Sequence, residues 1–452
     1  MSAKRVRSRF AIASICAFSL VAAACSDDET TTTTTAAPGT TTGDTQAPDT
    51  TTGDTAGEDT TTTEAAMVAD GTEVVIGLVY SETGRSASSY NTVDDVANAW
   101  AEWVNTEMGG VGGHPVRIAA ADGLSTGEGA AAAARQVVEE EGAVGVIIQD
   151  STAENAIAEY LTTAGIPMIG GTANGRPSDS GEAHWPNTYF NTAPSNPSSA
   201  AATMVAAKAA GVTKFAAAVC AEVPACAEAG GLYTIVGPMV EVEYVGLATV
   251  GAADPSYTAP CLDLIGKGAE IINLGVASNT AVAVMEECLL QGYEGLFASA
   301  SNSVVANLFE TVEGLHMAGM INGFPWWADA PPAQAFRDAL VNYGDDIDAR
   351  NPSATTTWAA LELFRKAVGE NGPAKDADIT AADVIDVYHA IDGETLDGLL
   401  PSPITYTTEG FQPLITCFWM FELVDGEFST LTEGESGNGV EGDLQSSCFT
   451  LG

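Results

Sequence analysis

A chain of 452 residues is too long for one ordinary domain, and with 46% hydrophobic residues it can supply more than one core. Its formal net charge of −44 repels phosphate backbones and excludes nucleic acid as a natural partner. The charge is unevenly spread: Lys4, Arg5, Arg7 and Arg9 precede every acid, leaving 12 basic against 60 acidic residues in the remainder.

The first 25 residues read as an export signal. A basic stretch (4–9) precedes an apolar one (10–24) that is too short for a comfortable membrane span. It ends in Val21-Ala22-Ala23-Ala24-Cys25. Small residues before a cysteine resemble the signal of bacterial lipoproteins, which implies lipidation of Cys25; Ala22 stands where that signal usually has leucine. An ordinary signal peptide cut after Ala24 is the alternative. Residues 26–66 then hold 18 threonines in 41 positions with no aromatic or basic side chain. Such a segment cannot bury enough apolar surface to offset its ordering entropy, so 26–70 reads as a solvated tether.

A folded body begins near Glu73. The run 73–80 (EVVIGLVY) has strand length and composition. Asn91 or Thr92 then caps a helix with its apolar stripe on Val93, Val96, Ala97, Trp100, Trp103 and Val104, ended by Gly109-Gly110. A strand (116–121), an alanine-rich helix stopping before Gly142, a strand (143–149), a helix carrying Ile157, Tyr160 and Leu161, and a strand (166–169) follow. Strand and helix alternating at this spacing predict right-handed crossovers and a covered parallel sheet. A second series comprises helix 196–210, strands 214–219 and 240–248, helix 256–267, strand 271–275, helix 280–291 and strand 296–298. Helices near 331–343, 353–369 and 381–391 and a strand within 414–423 complete the chain. Two such series predict two α/β lobes, each doubly wound around a parallel central sheet and joined by a hinge.

Six cysteines remain after the signal and Cys25: Cys220, Cys226, Cys261, Cys288, Cys417 and Cys448. An even number in an exported chain favours disulfides, and neighbour pairing is the simplest of the fifteen connectivities. None forms a CxxC pair or clusters with histidine, so neither a zinc site nor any other metal or cofactor is expected.

Several motifs invite chemistry. Gly123-Leu124-Ser125-Thr126-Gly127 matches GxSxG between a strand and a helix, the context of a hydrolase nucleophile; Ser125 or Thr126 as a helix N-cap explains the same residues. Gly109 to Gly113 follows a helix and precedes a strand, the reverse of a dinucleotide loop, and reads as a helix end and turn. Asp345-Asp346-Ile347-Asp348 lacks the glycine and distal glutamate of a calcium loop. Trp326-Trp327, after Pro325, lines a cleft or packs in a core, with packing the favoured reading of the two. Ser151 and Glu154 fit a capping box, yet Ser151-Thr152 also lies beyond the carboxyl end of a parallel strand, where helix N-termini hold ligands. The stretches 170–174 (GGTAN) and 80–90 (YSETGRSASSY) emerge at the same edge.

The stretches IGLVYSETG (76–84), VNTEMGGVGGHPVRIAAAD (104–122) and VGVIIQDSTAENAIAEYLTTAGIPMIGGTAN (144–174) are similar to those of type I periplasmic binding proteins, in particular the branched-chain amino acid (leucine/isoleucine/valine) family of ABC transporters. The resemblance spans nearly all of 73–452. It implies a first lobe of 71–194 plus 321–392 and a second of 195–320 plus 393–452. It also implies a ligand carboxylate held by Ser151, with Thr152 beside it, and by Thr172 and Asn174 with Ala173 between them. Tyr90, with Tyr80 nearby, would cover the ligand; Ser278 and Ser301 would face it from the second lobe. The family's acidic anchor for the ammonium group is missing from 297–302 (FASASN), where the nearest candidate substitutes are Glu222 and Glu228. Taken together these imply a monomeric, lipid-anchored, non-enzymatic protein outside the cytoplasm. It would hand a small polar solute, an amino acid or a related compound, to an ABC permease; a sensor of the same fold is the alternative.

Overall fold

The computed structural model describes residues 68–150, 152–172, 187–194, 196–222, 224–299 and 301–449. The signal with Cys25 and nearly all of the tether lie outside them. The body is anchored from Asp70 onward: Lys375 pairs with the Asp70 carboxylate, Gly71 N donates to Gly113 O and Thr72 N to Lys375 O.

The first sheet opens with β1 (Val74–Tyr80), all seven residues of which are buried. After the short helix α1 (Ala87–Tyr90) come α2 (Val93–Glu107), β2 (Val116–Asp122), α3 (Gly127–Arg135), β3 (Gly145–Gln149), α4 (Ala153–Ala164) and β4 (Met168–Gly171). The strands lie in the order β2-β1-β3-β4, all parallel. Alternation along β1 sends Ile76, Leu78 and Tyr80 into one apolar cluster with α2, and Val75 and Val79 into another with α3 and α4. The predicted stripe of α2 is buried except for the half-buried Trp103, which stacks on Trp358 with ring centroids 5.3 Å apart. Gly109 ends that helix at φ 71°, a left-handed conformation glycine adopts without strain, while Gly110 N bonds back to Val104 O.

The second series runs α5 (Asn196–Ala209), β5 (Lys214–Cys220), α6 (Pro224–Val240), β6 (Glu243–Val250), α7 (Thr258–Gly266), β7 (Ile271–Gly275), α8 (Ser278–Leu290), β8 (Leu296–Ser299), α9 (Ala306–Phe309) and β9 (His316–Ile321). Three of these elements, α6, α9 and β9, are not predicted from sequence. Glycines 230, 231 and 237 and Pro238 interrupt the helical signal of α6 and displace the next strand, which starts at Glu243 rather than 240.

The chain then returns to the first sheet. Helices α10 (Pro331–Tyr343) and α11 (Pro352–Asn371) pack on α2, α11 also reaches β3 and β4, and α12 (Ala381–His389) packs on α11. A final crossing leads to β10 (Cys417–Val424), β11 (Glu427–Leu431) and β12 (Ser447–Cys448). The second sheet is therefore ordered β11-β10-β9-β8-β7-β5-β6, with β12 against β10. Its central strands are parallel; β10, β11 and β12 add an antiparallel margin. Asp425 (φ 52°) and Gly426 (φ 83°) form the two-residue turn between β10 and β11.

The chain thus crosses between the two sheets three times, after β4, β9 and α12. The disulfides are Cys220–Cys226, Cys261–Cys288 and Cys417–Cys448, the neighbour pairing expected. Trp326 and Trp327 do pack: both rings meet Phe428, and Trp327 Nε1 donates to Thr430 Oγ1 at 3.0 Å. No helix among the described residues is long and apolar enough to cross a membrane.

Candidate functional site

The loop after β1 is clasped from below. Asp122 Oδ1 accepts from the backbone N–H of Glu82, Thr83 and Leu124, and Thr83 Oγ1 donates to Asp122 Oδ2 at 2.5 Å. Burial raises the Asp122 carboxyl, but these donors outweigh it and hold the group below the ordinary aspartate value. Ser125, buried and at φ 53°, donates to Thr83 O (2.9 Å) and accepts from Ser86 N (3.1 Å). Thr126 caps α3 by accepting from Gly129 N. The GxSxG residues therefore shape a loop and start a helix. Of the histidines, His114 bonds Thr72 O and Pro373 O, His316 bonds Glu422, and His389 bonds Asn187 O; His184 lies outside the described residues.

At the tip of β3 the expected cap shifts by one residue. The N-cap of α4 is Thr152, not Ser151, and its side chain makes no cap bond. Instead, Asp150 Oδ1 accepts from both Thr152 N (2.7 Å) and Thr152 Oγ1 (2.8 Å), the turn that an aspartate makes two residues ahead of itself. Glu154 is fully buried, and its carboxylate receives Thr172 Oγ1 at 2.8 Å and Tyr189 OH at 3.0 Å. Thus Thr172 and Glu154, one predicted as a ligand contact and the other as a cap, meet each other. Ser151, Ala173 and Asn174 lie outside the described residues, as does the side chain of Ser301.

The two tyrosines part company. Tyr80 joins the core cluster with α2, and its OH donates to Glu82. Burial, then the Asp94 and Glu82 carboxylates, push its phenol far up, so it stays a neutral donor. Tyr90 ends α1, is 5% exposed, and belongs to none of the three apolar clusters.

Between the lobes, α1 meets the start of α8. This helix begins after Ala277, which supplies no side-chain cap, so its first N–H groups need partners from elsewhere. Ser89 Oγ lies 3.4 Å from Ser278 N and Ser88 Oγ 3.3 Å from Asn279 N, both as acceptors. The hydroxyls of Ser89 and Ser278 are 2.8 Å apart, Ser278 Oγ also bonds Ser303 O at 3.0 Å, and Ser353 Oγ donates to Ser89 O. Ser278, predicted to touch a ligand, is here the joint between the lobes.

Around that joint, buried polar atoms accumulate without partners. Among the described residues, both amide atoms of Gln149 and of Asn302 make no hydrogen bond, nor do Ser81 Oγ, Asp150 Oδ2, Ser299 Oγ and Thr357 Oγ1. Most buried polar groups in folded proteins are paired, so their gathering is informative. Ser81, Gln149 and Asp150 lie at the carboxyl ends of β1 and β3; Ser299 and Asn302 lie at and just beyond that of β8. Thr357 stands one turn before Ala360, the residue of α11 against which Gly170 of β4 packs. The turn 301–303 packs against both α1 and α11. These are facing carboxyl edges of two α/β sheets, where ligands of such folds are held.

Other features lie apart. Glu222 accepts from Ala252 N at 2.6 Å, and Glu228 is exposed. A hollow of about 580 Å³ opens at the opposite, amino-terminal edge of the second sheet, lined by Thr213, Glu270 and Tyr293; the strand-tip chemistry does not reach it.

The family model for periplasmic binding proteins matches residues 73–427. The chain belongs to the periplasmic binding protein family. Solved structures agree on the type I architecture, two lobes with parallel central sheets. The leucine binding protein LivK of Thermotoga maritima shares 16% identity, with 79% of this chain and 97% of that one covered and a TM-score of 0.61. A solute binding protein of an ABC transporter from Rhodopseudomonas palustris, solved with benzoate, shares 16% identity over 82% of this chain and 99% of that one, at a TM-score of 0.62. An extracellular ligand-binding receptor of Verminephrobacter eiseniae reaches 0.64 at 16% identity, covering 79% of this chain and 99% of that one. No curated protein matches the sequence. The periplasmic binding protein family and the type I fold to which the sequence points are upheld, and with them a ligand-binding protein of an extracytoplasmic family.

Proposed function

We propose that this periplasmic binding protein is the lipid-anchored capture subunit of an ABC importer, monomeric, holding one small polar solute between its lobes. In this reading Cys25 carries the lipid, 26–70 is the tether, and the lobes comprise 71–194 plus 321–392 and 195–320 plus 393–452. The supporting observation is the polar seam itself: unpartnered amides and hydroxyls from both sheets converge beside a joint in which lobe-one hydroxyls cap a lobe-two helix. Closure creates that cap, so the closed form is favoured by bonds that an open form leaves to water. A solute that fills the seam adds its own partners and biases the same equilibrium, which is how binding becomes a shape that a permease can read. No step of catalysis belongs to this role.

Thermal-shift screening of purified protein against small polar solutes is the direct test. A solute present at 100 times its dissociation constant adds about 2.7 kcal/mol of stability. The reading predicts such a solute, with its affinity lowered by substitutions at Asn302 and unaffected by Glu270→Gln in the remote hollow. The opposite pattern would move the site to the other end of the second sheet. A sensory role is favoured to the extent that solved relatives are described as ligand-binding receptors; adjacent permease and ATPase genes would decide for transport.

A further inference from the structure

A ligand carboxylate requires several converging hydrogen-bond donors. Four described hydroxyls at the first-lobe edge are committed elsewhere. Thr152 donates to Asp150, Thr172 and Tyr189 donate to Glu154, and Ser125 donates to Thr83 O. A hydroxyl carries one proton, so none of these four can also donate to a solute in this arrangement. Two fully buried carboxyl side chains, Asp150 and Glu154, stand at this edge, whereas no described lysine or arginine is buried anywhere. An anionic group placed here would meet further acceptors.

The groups that do lack partners are mostly neutral and two-sided. Gln149 and Asn302, 0% and 2% exposed, each leave a carbonyl oxygen and an NH2 unsatisfied, one in each lobe. Ser81, Ser299 and Thr357 contribute hydroxyls. A carboxamide side chain presents a donor and an acceptor in one plane. The group that answers both is another planar N–C=O unit, with its NH toward one lobe and its oxygen toward the other.

On the basis of the cleft reading above, we infer that the solute is an uncharged compound bearing an amide-type group, such as a carboxamide, lactam or urea derivative, and that free carboxylates and α-amino acids are discriminated against. Two unpartnered carboxamides, one at the carboxyl edge of each lobe's sheet, beside buried acids whose hydroxyl donors are already engaged, favour a neutral donor–acceptor pair.

The test uses purified full-length protein in detergent and sets of solutes matched in carbon skeleton: primary carboxamides from acetamide to benzamide, ureas, and the corresponding carboxylates, amines and α-amino acids. Thermal shift ranks them and calorimetry gives the affinities. The expected result is binding of at least one amide, tighter than its matching carboxylate by at least about tenfold. Asn302→Leu and Thr357→Val each weaken it, Asn302→Leu by about a hundredfold. Tighter binding of a carboxylate or amino acid, still lost in Asn302→Leu, overturns the amide assignment and leaves the cleft standing. Affinity unmoved by Asn302→Leu and Thr357→Val, or no binding across the whole panel, overturns the cleft and the amide assignment together.

Discussion

The two lobes reach similar architecture by different means. All three disulfides belong to the second: Cys220–Cys226 at the tip of β5, Cys261–Cys288 between α7 and α8, and Cys417–Cys448 between β10 and β12. The first has none and is held by aromatic packing, with Trp100 fully buried and Trp103 stacked on Trp358. The second lobe is rich in alanine on α5 and in glycine on α6, side chains that bury little area each. Neither lobe, however, completes its own edge: α8 takes caps from α1 of the other lobe.

That contrast can be broken from either side. Trp100→Ala should be the most damaging single change, costing about 3–5 kcal/mol, because it empties a fully buried site in a lobe that contains no disulfide. It also removes the indole N–H that Glu362 accepts at 2.8 Å. Denaturant unfolding would show the loss in oxidised and reduced protein alike. The paired change Cys261→Ser, Cys288→Ser should cost about 3 kcal/mol by freeing a loop with a sequence separation of 27. Reductant should reproduce this loss, and hydrogen exchange should localise it to the second lobe; equal loosening of β1 to β4 would refute the division.

A smaller effect tests the joint. Ser89→Ala removes the acceptor for Ser278 N and should shift the lobes toward opening by about 1 kcal/mol, close to fivefold in population. Small-angle scattering would register an increased radius of gyration with the melting of each lobe nearly unchanged.

The smallest effect concerns pH. Asp122 is held below its ordinary value by the loop it clasps, so its contribution is complete above about pH 4 and lost as pH falls through the lower folded value. Exchange of the amides of Glu82, Thr83 and Leu124 should accelerate over that acid range, and Asp122→Asn should flatten the response.

Much of this was legible beforehand. The alternation of β1 to β4 with their helices, the stripe of α2 and the return helices α10 to α12 follow from apolar periodicity and turn residues alone. The helix α6 escaped because its glycines and Pro238 speak against it locally, while burial of Tyr233, Val236 and Val240 carries it. β11 does carry a local signal: Asp425-Gly426 between two runs is a hairpin turn. At the strand tips, the residue types alone leave the partners open: Thr172 offers a hydroxyl, Glu154 a cap and Tyr80 a cover, and the structure joins the first two and packs the third.

From the amino acids alone came the lobes, their parallel strands, the neighbour pairing of six cysteines and the strand tips as the place to look, because periodicity, chain spacing and turn chemistry are local properties. The tertiary structure alone decided which hydroxyl gives its proton to which acceptor. Ser89 and Ser278 meet across 189 residues, and Thr172 reaches a glutamate on the preceding helix. A hydroxyl has one proton and no intrinsic choice of partner; only the packing that brings an acceptor within about 3 Å determines where it goes.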